Sequence, residues 1–159
     1  MEEAGSRSRQ VEEVFRRIAE TRMDGVPILN SALAVEAVAV ERWQQGIILG
    51  LVTPWFINVM LLPGTGERAE WEGMAVGQST VQELPGGRFS FIAASEDGIG
   101  PYRMCSLFSP VLEFADQETA RAAATAALHE MMREDDAPQP SLTRRDLFRR
   151  RLPPRGEEA

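Results

Sequence analysis

The chain has 159 residues, 43% hydrophobic and 26% charged, with a net charge of −7 and seventeen basic residues that are all arginine. One domain is the default at this length, and it can bury a core without covalent staples. An acidic body repels phosphate backbones, which argues against nucleic acid as a partner and favours basic peptides or basic protein faces.

A single cysteine, Cys105, rules out an intrachain disulfide and fits a reducing compartment. With one histidine, His129, and no Cys-x-x-Cys pair, neither a thiolate zinc site nor a rubredoxin-type iron site is expected. The start Met1-Glu2-Glu3-Ala4-Gly5 lacks the basic opening and apolar run of a secretory signal. Arg16-Arg17 is followed by Ile18-Ala19-Glu20, not by a long apolar segment.

In chain order, Val11, Val14, Phe15 and Ile18 mark one face of a helix over 8–23, which Gly25 and Pro27 break. Residues 34–43 carry valines and alanines and end at Trp43, and Gln44-Gln45-Gly46 reads as a turn. Two apolar runs follow, Gly46–Val52 and Trp55–Leu62, with no charge between Arg42 and Glu67. Thr53-Pro54 and Asn58 interrupt them, so two buried strands fit better than a membrane helix. Further strands are expected at 69–76, 79–84, 88–94 and 101–108, with hairpin turns at Leu84-Pro85-Gly86-Gly87-Arg88 and Glu96-Asp97-Gly98. Asp116 is the expected N-cap of a second helix over 116–134, with Ala120, Ala123, Ala124, Ala127, Leu128 and Met131 on its apolar face. Helix, strands and helix in that order predict an α+β fold: an antiparallel sheet with N-terminal and C-terminal helices packed against it.

The composition changes after Glu134. Residues 1–140 hold eleven arginines and twenty-one acids, a net of −10; residues 141–155 hold six arginines and one acid, a net of +5. The expected organisation is therefore one domain over 1–134, then a linker and basic tail over 135–159. Leu142, Leu147, Phe148 and Leu152 interleave the arginines, so the tail is either a solubilising end or an element that docks on a partner or on its own acidic body.

Chemistry-bearing patterns are sparse. Cys105 with His129 would make a nucleophile–base pair, but His129 follows Leu128 and projects off the apolar stripe, while Cys105 sits in an apolar strand as a small hydrophobe. Gly64-x-Gly66 begins a dinucleotide loop that Ala69 and the lack of a βαβ unit discontinue. Glu67, Glu70 and Glu72 read as a solvated face in preference to a cation site. Trp43, Trp55 and Trp71 read either as core or as a binding groove, with Trp55, after Pro54 at a chain bend, the best placed for partial exposure.

Thr53-Pro54-Trp55 with the apolar run to Leu62-Pro63-Gly64 resembles a segment of the HybE/HupJ-type nickel–iron hydrogenase assembly chaperones. So do Leu84-Pro85-x-Gly87 before Phe89-Ser90-Phe91, the block Cys105-Ser106-Leu107-x-Ser109-Pro110, and Arg144-Arg145-Asp146-Leu147-Phe148. The resemblance spans 53–148 and implies a cytoplasmic escort with no cofactor, no metal site and no catalytic residue. The implied clients are the hydrogenase large subunit and the small-subunit precursor with its twin-arginine signal peptide, bound without membrane insertion. The candidate partner-binding residues are Pro54, Trp55, Trp43, Arg144, Arg145 and Phe148. A binding module unrelated to hydrogenase, or a small enzyme using Cys105, are the alternatives.

Overall fold

A computed structural model of the protein describes residues 2–27 and 29–133. The expected linker and tail over 135–159, with the candidates Arg144, Arg145 and Phe148, lie outside the described residues.

The first helix, α1, covers Glu2–Glu20. It starts a turn and a half before the expected position because Ala4 extends the buried stripe of Val11, Val14, Phe15 and Ile18. It also stops earlier, in turns that close through Thr21 and Met23 and end at Gly25, whose φ of 79° suits glycine. Strands β1 (Glu36–Trp43), β2 (Gly46–Val52) and β3 (Ile57–Leu62) follow, so residues 46–62 form two strands and no continuous helix. Among the described residues no helix is long and apolar enough to cross a membrane.

The strand expected at 69–76 is absent. A 3-10 turn and a short helix, α2 (Arg68–Glu72), stand there, and the next strand begins at Ser79. The alternation of Ala69, Trp71 and Ala75 imitates a strand, but this segment lies across a sheet face where no strand edge is free to pair. Strands β4 (Ser79–Leu84), β5 (Gly87–Glu96) and β6 (Gly100–Phe108) and helix α3 (Gln117–Met132) complete the order. Asp116 caps α3 as expected, its carboxylate accepting from the Thr119 amide at 2.8 Å.

All strand pairs are antiparallel, in the order β1-β2-β3-β6-β5-β4. The late strand β6 enters between β3 and β5, so the middle of the sheet joins distant parts of the chain. Two cores result, one per face. On one, Ala120, Ala124, Ala127, Leu128 and Met131 of α3 pack on Ile48, Val52, Val59, Phe91 and Cys105. The alanines let the helix lie close: a Cβ added to Gly50 of β2 would stand 3.5 Å from that of Ala124. On the other face α1 packs on Ile47, Leu49, Leu51, Met60 and Tyr102. Every residue of β2 and β3 is buried.

The outer edge of β1 is held at its start by side chains. The Ala37 amide donates to Glu12 of α1 at 2.9 Å, and Gln117 both accepts from the Ala34 amide and donates to its carbonyl. Arg121 and Gln117 also donate to Glu36. Burial pushes the Glu36 carboxyl up, but those hydrogen bonds and the Arg121 charge outweigh it and hold the group below its ordinary 4.5. A group whose pKa is depressed by folding stabilises the native state above its unfolded value and loses that contribution as pH falls through the folded value. Wild type should therefore exceed Glu36→Gln in urea midpoint at pH 7, and the difference should close below about pH 4.5. A difference constant down to pH 3 would show that the Glu36 charge is not what links β1 to α3.

Candidate functional site

The turn between β2 and β3 is built around Thr53, which is fully buried. Its amide donates to the Phe56 carbonyl at 2.8 Å, and its Oγ1 accepts from the amides of Trp55 and Phe56 at 3.2 and 2.9 Å. The Pro54 carbonyl accepts from the Asn30 amide at 2.8 Å, fixing the other side of the bend. This clamp sets the direction of Trp55 and Phe56. Both are half-buried and join Phe15 of α1 in a ring cluster, with Trp55 and Phe56 edge-on at 5.5 Å and Phe15 edge-on to Tyr102 at 6.3 Å.

Beyond this cluster no described helix covers the α1 side of β4 and β5. Met104, half-buried, follows Tyr102 by two residues on β6 and pairs with Ile92 of β5. Val81 of β4 lies diagonally beyond. Ile92 is 45% exposed and Val81 54%. Met104, Ile92 and Val81 thus form a shelf of apolar groups that reaches the edge of β4, broken by the contacting hydroxyls of Ser79 and Ser90 on the same face, while Trp55 and Phe56 pack on the same α1-side core as Met104. Ion pairs stand at both ends: Arg22 holds Glu96 at 2.7 Å, and Arg88 stands 3.8 Å from Glu83. Such exposed pairs are weak and exchange readily with an incoming charge. Beneath the shelf Asn58, 3% exposed, donates to the Met104 sulfur at 3.1 Å, while its Oδ1 is buried with no partner among the described residues. An unpaired buried carbonyl is costly, and a flexible thioether above it is easily displaced.

The opposite face is filled. Trp71 of α2 packs there, with the Arg103 guanidinium 3.9 Å from its ring centroid and Arg103 donating to Gln82 at 2.9 Å. Burial lowers the Arg103 pKa, and Glu67 and Glu70 oppose that shift. These acids thus support a buried cation, and among the described residues no group of three or more histidine, cysteine or acidic side chains could hold a metal. Trp43 packs half-buried against the α3-side core. The structure therefore keeps Pro54 and Trp55 beside the shelf and places Trp43 on the other face. Cys105 is buried in the α3-side core while His129 is exposed, so the two do not form a dyad. The sequence reading missed Val81, Ile92 and Met104. The available sign was β5 itself, where Ile92 and Ala94 break the alternation of Phe89, Phe91 and Ala93 and make both faces apolar.

Residues 6–150 match the family model described as "[NiFe]-hydrogenase assembly, chaperone, HybE". The chain belongs to the HybE family of nickel–iron hydrogenase assembly chaperones. It is 42% identical over 144 residues to Protein HoxT of Cupriavidus necator, covering 84% of this chain and 80% of that protein. It is 39% identical over 123 residues to the hydrogenase expression/formation protein HupJ of Bradyrhizobium diazoefficiens, covering 77% and 70%. The solution structure of HybE from Escherichia coli superposes with a TM-score of 0.61 at 20% identity over 85% of each chain, which shows a shared fold. The HybE-family match takes in every shelf strand and continues through the arginine-rich segment to Arg150.

The Thr53 clamp gives a direct test of how the shelf is held. Thr53→Val removes the acceptor of two amides at constant volume, and should cost about 1–3 kcal/mol in chemical denaturation. The emission of Trp55 should shift to the red, read in a background with Trp43 and Trp71 replaced by phenylalanine. Unchanged stability would show that the β2–β3 turn is held by packing alone.

Proposed function

We propose that this chain is a non-catalytic cytoplasmic chaperone that holds nickel–iron hydrogenase precursors on the shelf formed by Met104, Ile92 and Val81, beside Trp55 and Phe56. The observation that carries this reading is the half of one sheet face on which, among the described residues, Ile92 and Val81 stand exposed beside a packed core. Large apolar groups left in water on an otherwise packed domain mark an interaction surface. The family supplies the class of client, and the shelf supplies its chemistry: an apolar segment beside basic residues. A small-subunit precursor bearing a twin-arginine signal peptide presents that combination, with its apolar run on the shelf and its arginines exchanging into the Glu83 and Glu96 pairs. Pro54 and Trp55 act as the rigid aromatic border. Trp43, on the far face, serves the core.

Binding of the small-subunit precursor, measured by calorimetry on the whole protein, tests this. Ile92→Asp and Val81→Asp each place a charge on the shelf and should weaken binding at least about tenfold, or 1.4 kcal/mol. Both positions are exposed, so thermal stability should stay near wild type. Equal loss for a precursor lacking its signal peptide would assign the shelf to another part of the client. Undiminished binding in both variants would remove the shelf from function altogether. Cys105→Ala should cost about 1–2 kcal/mol of stability and leave client binding and hydrogenase maturation intact. A variant that folds normally yet fails in maturation would make Cys105 a functional group.

A further inference from the structure

We propose that the chain carries its own occupant for the shelf: residues 141–152 dock along β4 and on Val81 and Ile92, and must leave for a client to bind. The competition rests on the reading of the shelf as the client surface. The docking itself does not.

The two edges of the sheet are treated differently. At the β1 edge Glu12 takes the Ala37 amide, Gln117 holds Ala34 just before the strand, and a bulge between Val38 and Glu41, with Ala39 at φ 52°, makes the strand irregular. Along β4, among the described residues, no side chain bonds to the backbone, no bulge interrupts the pairing with β5, and Ser79–Leu84 contains no proline. An edge without bulge or proline, carrying the single charge of Glu83 beside exposed Val81 and Ile92, is a template for an added strand.

The end of α3 delivers the tail to this edge. The Gly86 amide, in the β4–β5 turn, donates to the Met131 carbonyl at 2.7 Å. A Cβ at Gly86 would run into the carbonyl oxygens of Glu130 and Met131, so helix and turn touch directly. Arg133, the last described residue, is two positions further on. Residues 134–140 span at most about 25 Å when extended, and a strand of β4's length is about 20 Å long. Every part of β4 is within reach of residue 141.

The composition of the segment fits the surface. It carries six arginines and one acid up to residue 155, against a net of −10 for residues 1–140. Glu83, on β4 beside Val81, is exposed. Within it, Arg144-Arg145-Asp146-Leu147-Phe148 places two adjacent arginines one residue before two large apolar side chains. That is the chemistry of the client segment the shelf is proposed to take, carried in the same chain. Solubility alone calls for the arginines and leaves Leu142, Leu147, Phe148 and Leu152 without purpose. A short tether gives an effective concentration of about 1 mM, so an intrinsic dissociation constant of about 0.2 mM would keep the tail docked most of the time and weaken client binding about fivefold.

The test uses the full chain. A nitroxide on Thr143→Cys reacts selectively, because Cys105 is buried. At low salt it should broaden the amides of Ser79–Leu84 and Ile92 and spare those around Leu112, and the effect should disappear at high salt and in Arg144→Glu/Arg145→Glu. Absent or uniform broadening overturns the docking. In parallel, a synthetic twin-arginine signal peptide of the small subunit is titrated at low salt. Leu147→Ala/Phe148→Ala, which leaves the charge unaltered, should bind it about fivefold more tightly than wild type. Unchanged affinity overturns the competition. Ile92→Asp separates the two readings: if it abolishes peptide binding while the nitroxide never broadens β4, only the tail proposal falls. If it removes the broadening while peptide binding persists, the tail occupies the shelf and the assignment of the client to that surface falls.

Discussion

Burial of β2 and β3 on both faces is the constraint from which the rest of the structure follows. Neither strand shows a residue to water, so each face must be covered by something else in the chain. Six strands at about 4.8 Å spacing make a sheet roughly 24 Å wide, whereas a helix with its side chains is about 10–12 Å across. One helix per face therefore closes only about half of it. On the α3 side the remainder is covered by α2, whose Trp71 holds Arg103 flat against the sheet. On the α1 side the Phe15, Trp55, Phe56 and Tyr102 cluster extends the cover a little way, and no other described element continues it.

The uncovered part is held as firmly as the rest. Its strands belong to the same ladder as the buried centre, and its border is fixed by Thr53, which satisfies two amides with one hydroxyl. A binding surface on a rigid sheet costs little ordering entropy when a client arrives. Adaptability is left to Met104, a thioether lying over the unpaired oxygen of Asn58. The titratable groups point the same way. Burial raises the Tyr102 phenol, with Glu96 adding to the shift and Arg22 opposing it, so that ring is an apolar body in the core and no acid or base at neutral pH.

A surface that binds exposed apolar segments must be protected until it is needed, because a flat edge beside an apolar strip invites pairing with any unfolded chain. The β1 edge, held at its start, shows that the fold has means to blunt an edge with its own side chains. Among the described residues no side chain covers the β4 edge in this way, and α3 ends against the β4–β5 turn at Gly86.

Much of this was legible in the sequence. The period of Val11, Val14, Phe15 and Ile18, the uncharged runs 46–52 and 55–62, the turn residues of the hairpins and the Asp116 cap set the helices, most strands and the α+β class, because each is a local property of spacing and backbone preference. The four short blocks between residues 53 and 148 pointed to the family. Local pattern failed at 69–76, where alternation imitated a strand and the decision lay with a sheet face the segment had to cover. It singled out Trp55 for partial exposure but could not put Trp43 and Trp55 on opposite faces, since equally apolar neighbourhoods are separated only once β2 has paired. Nor could it show the shelf. Val81, Ile92 and Met104 belong to β4, β5 and β6, which successive hairpins make neighbours, but their exposure depends on where α1 stops covering the sheet. Sequence fixes which residues are apolar; only the tertiary structure decides which of them lack a cover, because exposure is a property of what the other elements fail to reach.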